Sequence, residues 1–477
     1  MKFLKLKSQA LQLAIASVVG ILINSAAHAS GYQFGTQSAR NQGSANAGAL
    51  EAVDATVLYY NPAGLAYLQG SNLSLDLAVV FPKSEFHYSQ AYNGNIVTPT
   101  PVSNATRGGD YVKTTLVPHA YFAHQIDEKY TVGLGLFVPY GSAVNFDENF
   151  AGRYFTRSSE LKSININPSL AIKLSPQHRV GLGISAQYMR AEIDKNYSMQ
   201  TLAVNLCAQS LSCLNAAGLK AISALYANVP DTIAHTEGNV WGYGFNLGYI
   251  YEPNPATRLG IAYRSSIRSD FKGRTEFQVP ALPGSNPLSA SLATSLNAAL
   301  KNADASLLIK TPESLALSVY HQTDGPWAYM ADISYTRNSR LQQIAIVTPT
   351  PALPSRTLTL KTAWRDTYKV SVGSSYNWDD KTQFRAGYMY DQGANEQAQY
   401  ALPTMPDSDR QWLSLGMSYR LNHQHTIDLA YSHVWLQRAQ IVRTDDDYVL
   451  SNGSPGKLSG DYQSSLNLLS LQWNYKF

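Results

Sequence analysis

Beyond its first few dozen residues, this 477-residue chain has no stretch approaching the ~18 consecutive apolar residues that a membrane helix requires. Helical membrane spans are thereby excluded from its body. Charge is scarce as well: Asp, Glu, Lys and Arg make up 15% of the chain, and the mean hydropathy of −0.21 is that of a water-soluble protein. Cysteine is nearly absent, with only Cys207 and Cys213 present. A disulfide-rich scaffold is ruled out, and two thiols without histidines at ligand spacing make a poor zinc site, so the pair reads as a disulfide stapling one loop. No phosphate loop, dinucleotide fingerprint or nucleic-acid motif occurs, so nucleotide-driven and nucleic-acid-binding classes fall away and no cofactor or metal is implied.

The chain does have an export leader. Lys2, Lys5 and Lys7 precede an apolar run from Leu11 to Ile23 and a small-residue exit at Ala27-His28-Ala29, the pattern of a signal peptide over residues 1–29. Its removal takes three of the 37 basic residues and none of the 33 acidic ones, leaving a charge of about +1. Aromatics are plentiful, with 31 Tyr, 14 Phe and 7 Trp, which suits the girdles of a membrane barrel. An exported chain crosses a membrane and still reads as hydrophilic when every second residue faces water, which is the property of a β-barrel.

The alternation is plainest in WGYGFNLGYIY, where Trp241, Tyr243, Phe245, Leu247, Tyr249 and Tyr251 share one face and Gly242, Gly244, Asn246 and Gly248 the other. Similar runs recur from SLDLAVVF near residue 71 to LLSLQWNYKF at the C-terminus, giving about fourteen segments of near membrane-crossing length. The expected fold is an all-β, transmembrane, antiparallel barrel of about fourteen strands spanning residues 71–477. Its connections sort by length: EPNPAT, LSPQHR, TDGPW, NWDDKT and LNHQHT are short, whereas 84–113, 140–160, 199–236, 280–305 and 392–408 are long. Outer-membrane barrels have that asymmetry, with short periplasmic turns and long extracellular loops. Two long loops, 199–236 and 280–305, contain Ala- and Leu-rich stretches at helical spacing, 202–229 and 290–307, suited either to an apolar landing groove or to closing the barrel mouth. The terminal Phe477, with Trp473 and Tyr475 on its face, is the signal expected for hand-over to a barrel-assembly machinery.

One stretch breaks the pattern. GYQFGTQSARNQGSANAGALEAVDATVLYYNPAGLAYL, Gly31 to Leu68, is small, polar and without a sustained period of two. Standing before the first strand, it has the lumen as its destination, so residues 30–70 are expected to form a hatch inside the barrel.

These residues together resemble the FadL family of outer-membrane long-chain fatty acid transporters. The likeness covers nearly the whole mature chain, through SGYQF, YNPAG, GLGISAQYMRAEID, WGYGFNLGYIYE, RLGIAYRSSIRSDFKG, WRDTYKVSVGSSY and MPDSDRQWLSLGMSY in order. It implies a monomeric barrel with an internal hatch in the outer membrane of a Gram-negative type cell. Long-chain fatty acids, or similar hydrophobic ligands, pass by affinity alone and leave sideways into membrane lipid. Monoaromatic hydrocarbons are the alternative cargo. By position, Asn61, Pro62 and Ala63 match the hatch motif, either as a moving gate or as a capped turn that fixes the plug. Tyr32 matches an aromatic that touches the ligand, and Arg190 and Arg365 match two basic residues around its head group, the second often Lys in the family. The alternative for each arginine is pairing with a nearby acid such as Glu192 or Asp366. Pro139, Tyr140 and Gly141 match a kink in the third strand that opens the wall, where a plain strand end is the other reading.

Two rival classes are weighed against this. An outer-membrane hydrolase finds only His87, Ser89, Asp110 and His119, without a nucleophile elbow, so no enzyme activity is expected. A general porin needs an open charged lumen, which a plug contradicts.

Overall fold

The computed structural model describes residues 33–94, 99–208, 215–349, 357–444 and 456–477. Fourteen antiparallel strands follow one another around a closed wall. The first five are β1 (Ser71–Tyr92), β2 (Thr115–Gln125), β3 (Tyr130–Phe137, resumed at Gly141–Asn145), β4 (Ser158–Lys173) and β5 (His178–Tyr197). Next come β6 (Thr232–Asn254), β7 (Thr257–Arg264, resumed at Arg268–Gln278), β8 (Ala303–Lys310, then Ser314–Gln322), β9 (Trp327–Thr336, resumed at Gln343–Val347) and β10 (Thr357–Lys361, then Thr367–Asn377). The circuit ends with β11 (Thr382–Asp391), β12 (Arg410–Arg420), β13 (His425–Leu436, resumed at Ala439–Arg443) and β14 (Lys457–Lys476). β14 pairs with β1 from Asn72 opposite Lys476 to Tyr92 opposite Lys457, so the wall closes on itself.

Side-chain parity decides the two faces. On β5, Leu182 and Ile184 are exposed while Gly183, Ser185 and Gln187 between them are buried; on β6, the row from Trp241 to Tyr251 is exposed while Asn246 and Ile250 are buried. Large apolar groups therefore face lipid, and small and polar ones face the lumen. The expected loop and helix bounds need correction: within 140–160 the segment Gly141–Asn145 resumes β3 and Ser158 opens β4, and within 199–236 β6 begins at Thr232. Residues 84–92 extend β1 and pair with β14, and the helix in the 280–305 loop stops at Ala299 because Ala303–Lys310 already belongs to β8.

Residues 33–68 lie within the cylinder. They coil through α1 (Ala39–Gln42), α2 (Val57–Tyr60) and a 3-10 turn, Pro62–Tyr67. Left-handed backbone at Ala45 (φ 52°) and Asn46 (φ 64°) makes the bend after α1, held by the Asn46 amide donating to the Gly35 carbonyl at 2.9 Å. Ser38 caps α1, and the Ala39 N–H donates to Asp76 of β1, whose carboxylate also bonds His119 of β2. On the extracellular side, α3 (Met199–Cys207), α4 (Ala216–Leu225) and α5 (Pro287–Ala299) pack into one apolar cluster through Met199, Val204, Ile222, Tyr226, Leu292 and Leu296. The helices thus close on one another. Cys207 is buried there and disulfide-bonded, while Cys213 lies outside the described residues.

Candidate functional site

Pro139 cannot donate to a sheet ladder, and the third strand breaks there, between Phe137 and Gly141. The start of the hatch fills the gap. Phe34 N–H donates to the Pro139 carbonyl at 2.8 Å, Gln37 donates through its side chain to the Val138 carbonyl at 2.9 Å, and Gln33 pairs with Tyr140 as an isolated bridge. Ser163 of β4 holds the other side of Tyr140, accepting from its N–H at 2.9 Å and donating to its carbonyl at 2.6 Å. The wall defect and the leading residues of the hatch are therefore one structure.

The Asn61-Pro62-Ala63 motif docks farther round the wall, against β5 to β7. Asn61 caps the 3-10 turn by accepting from the Ala63 N–H at 3.1 Å, and its amide reaches the Ile261 carbonyl of β7 at 3.2 Å. Two wall glycines allow this approach: a Cβ at Gly248 would stand 2.0 Å from the Asn61 side-chain oxygen, and one at Gly181 2.3 Å from the Ala63 nitrogen. A second anchor is ionic. Arg40 of α1 lies 3.0 Å from Glu51, 3.3 Å from Asp54 and 3.1 Å from Asp428 of β13, and Arg385 of β11 lies 3.1 Å from Glu51. Below it, Tyr67 is sandwiched between the guanidinium groups of Arg179 and Arg258 and donates to Glu252 at 2.6 Å.

Between hatch and wall, at the level of the broken strand, lies a cavity of about 130 Å³. Phe34, Tyr59, Tyr60 and Met389 give it apolar surface, and Arg264, Lys369 and Asp332 are its charged lining. Arg264 donates to the Tyr59 carbonyl at 2.8 Å and stacks over the Tyr59 ring at 4.6 Å; Lys369 reaches Gln33 at 3.4 Å and Asp391 at 4.0 Å; Ser318 donates to Asp332 at 2.5 Å. Above it the lumen is greasy, packed by Tyr140, Met189, Phe271, Ile344, Ile346 and Trp364. Apolar side chains thus lead from the extracellular end to a pocket with two cations, closed beneath by the hatch. A carboxylate reaching that pocket finds guanidinium and ammonium donors in surroundings that screen them little.

Neither arginine expected around a head group lines this cavity. Arg190 has the lipid-facing parity of Leu182 and Ile184, is half exposed, and pairs with Glu192 at 2.7 Å and Glu237 at 3.0 Å on the outer surface. Arg365 pairs with Glu396 at 3.3 Å and Asp409 at 3.4 Å, while Asp366, its expected partner, accepts instead from Tyr335. The Arg190 assignment is corrected by parity, since along a strand a one-residue step reverses the face; Arg365 lies in the break of β10, between Lys361 and Thr367, and is held there by its two acids. The same rule identifies the groups that were missed. In RLGIAYR, Leu259, Ile261 and Tyr263 face out, so Arg264 faces in; in YKVSVGSSY, Lys369 shares the inward face of Ser371. Tyr32 and the leader lie outside the described residues. His119 is buried against Asp76 beside the hatch, and among the described residues no hydrogen bond joins it to His87.

Comparison with known proteins agrees with this architecture. A family profile described as outer membrane protein transport protein (OMPP1/FadL/TodX) matches residues 20–477. An outer membrane protein of Neisseria meningitidis serogroup B is 34% identical over 457 residues, 94% of this chain and 95% of that one. A long-chain fatty acid transport protein of Escherichia coli O6:H1 is 28% identical over 94% of this chain and 95% of its own. The crystal structure of a Pseudomonas aeruginosa FadL homologue superposes with a TM-score of 0.78 at 22% identity, covering 94% of this chain and all of that one.

Proposed function

The chain belongs to the OMPP1/FadL/TodX family of outer membrane transport proteins, and from that premise we propose that its cargo is a long-chain fatty acid or a similar amphiphile with an anionic head. Transport of hydrophobic compounds across the outer membrane, without enzyme chemistry, is the family's role. The observation that carries the finer reading is the lumen cavity with Arg264 and Lys369 facing it beneath an apolar upper lumen. A tail partitions from water into that surface with ~0.8 kcal/mol for each buried methylene, which is drive enough without a coupled energy source.

In the proposed route the amphiphile enters past the extracellular helices and displaces apolar contacts in the upper lumen. Its head then takes donors from Arg264 and Lys369. A shift of Gln33–Gln37 away from the broken third strand opens the wall, and the molecule leaves sideways into lipid through the gap at Val138–Tyr140. Residues 1–29 serve as the export leader and Phe477 as the assembly signal. Monoaromatic hydrocarbons are the competing cargo, and they have no use for the two cations.

Binding of oleate and toluene to the purified protein and to an Arg264→Ala/Lys369→Ala variant separates the readings. Oleate affinity is expected to fall ~10- to 100-fold, the scale of one charge-assisted hydrogen bond lost, with toluene unaffected. Tight toluene binding with no measurable oleate binding would overturn the fatty-acid reading.

A further inference from the structure

The outward face of the wall changes character at one level. On β5 the outward series Leu182, Ile184, Tyr188 is followed by Arg190; on β9, Ile333 and Tyr335 are followed by Arg337; on β4, Ile164 is followed by Lys162; on β7, Ile261 and Tyr263 are followed, after the break, by Arg268. Lys310 of β8 stands in register with Arg268, and Arg340 lies in the break within β9. The short turns mark the periplasmic side, and each of these six cations lies ten to thirteen residues from the periplasmic end of its strand. At ~3.3 Å per residue and a tilt of ~40° that is a height of ~25–33 Å, the thickness of the apolar band. Tyr188 and Trp241, with ring centroids 5.4 Å apart, belong to the aromatic girdle just beneath.

We propose that this sector, β4 to β9, is a docking surface for phosphorylated lipid head groups of the outer leaflet. The cations stand at head-group height with their stems over the last apolar row, where Lys and Arg place their charge at the interface. Carboxylates accompany them: Glu160 beside Lys162, Glu192 and Glu237 beside Arg190, Asp270 beside Arg268, and Glu313 beside Arg337 and Arg340. Those pairs do not close the surface. Arg190, Arg268 and Arg337 are exposed, and exposed pairs exchange readily with other partners. Glu160, Glu192 and Glu237 also lie opposite one another in register and repel, which weakens their hold on the cations. A phosphate fits the guanidinium fork as well as a carboxylate does and carries more charge. The membrane itself delivers phosphate at this height. The assignment also gives Arg190 a role that its outward direction denies it in the lumen.

The test uses the full-length protein in non-ionic detergent and native mass spectrometry with three probes: bis-phosphorylated lipid A, the same glycolipid stripped of phosphate, and phosphatidylcholine. The expected result is binding of the phosphorylated glycolipid at least tenfold tighter than either control. That preference should be lost in Lys162→Gln/Arg190→Gln/Arg268→Gln/Lys310→Gln, with oleate binding unchanged. Folding of the variant is read from heat-modifiable gel mobility; if it fails, Arg190→Gln and Lys310→Gln singly are each expected to weaken phosphorylated-lipid binding by about threefold. Equal binding of the phosphorylated and stripped glycolipids, or variants that bind as the native protein does, would overturn the proposal.

Discussion

Replacing Arg40 by Met should unseat the hatch while leaving the barrel folded. Arg40 and Arg385 are two cations among three carboxylates, Glu51, Asp54 and Asp428, and all five side chains are at most 14% exposed. Removing Arg40 leaves one cation against three acids and strands Asp54, whose ion pair is with Arg40. Breaking a buried pair by deleting one partner costs about 3–5 kcal/mol, because the remaining charge stays desolvated. Were that cost to fall wholly on hatch seating, the displaced population would rise by roughly 150- to 5,000-fold. The wall is spared, since its ladder closes from β14 to β1 without the hatch. Planar-bilayer recording reads the change: the native protein should be closed, and Arg40→Met should open in bursts of large conductance. Adding Asp428→Asn restores the balance near Arg40 and should shorten the bursts, a coupling that a double-mutant cycle quantifies. A folded Arg40→Met protein as closed as the native one would refute the reasoning.

Three further outcomes follow from the geometry. Gly248→Val places a Cβ where the Asn61 side chain lies and should cost ~1–3 kcal/mol, read as a lower midpoint of heat-modifiable gel mobility; a midpoint equal to the native one would count against docking of the motif there. Arg190→Ala and Arg365→Ala should leave oleate affinity within about twofold, because both side chains spend their charge on surface acids; a tenfold loss in either would return that arginine to the lumen. Burial at the extracellular end of β5 pushes the Lys195 ammonium down from 10.5 to about 7, so between those values the unfolded chain binds the proton that the folded one has released. Stability should therefore rise with pH across that window and be flatter in Lys195→Met, which denaturation midpoints from pH 7 to 10 would reveal; parallel profiles would contradict it.

Most of the architecture was legible because a barrel writes itself in a period of two. The lipid-facing row from Trp241 to Tyr251, the short turns and the closing strand at Phe477 were visible as text, and so was the exceptional stretch that became the hatch. What was hidden is how that stretch packs. Gly181 and Gly248 read as ordinary small lumen residues, and only the docked position of Asn61 shows why no side chain fits there. The ion cluster joins Arg40 to Asp428 across nearly 400 residues, and no local pattern announces such a contact. Side-chain direction was missed for a different reason: positional likeness picked arginines by motif, whereas strand parity, already present in the sequence, turns Arg190 outward and Arg264 and Lys369 inward.

On the proposed route the hatch must move for a greasy molecule to pass. Ala47 and Gly373 offer the lock: a Cβ built on Gly373 stands 3.3 Å from that of Ala47, close to the ~3.5–4.5 Å of a disulfide, and 2.8 Å from the Ser44 carbonyl oxygen, so the hatch gives slightly to admit it and uptake by the reduced variant is the reference. In cells carrying Ala47→Cys/Gly373→Cys, uptake of labelled oleate should stop on oxidation and return on reduction, with the native protein indifferent to both. Uptake at the native rate through a barrel whose cross-link is verified as complete would contradict it.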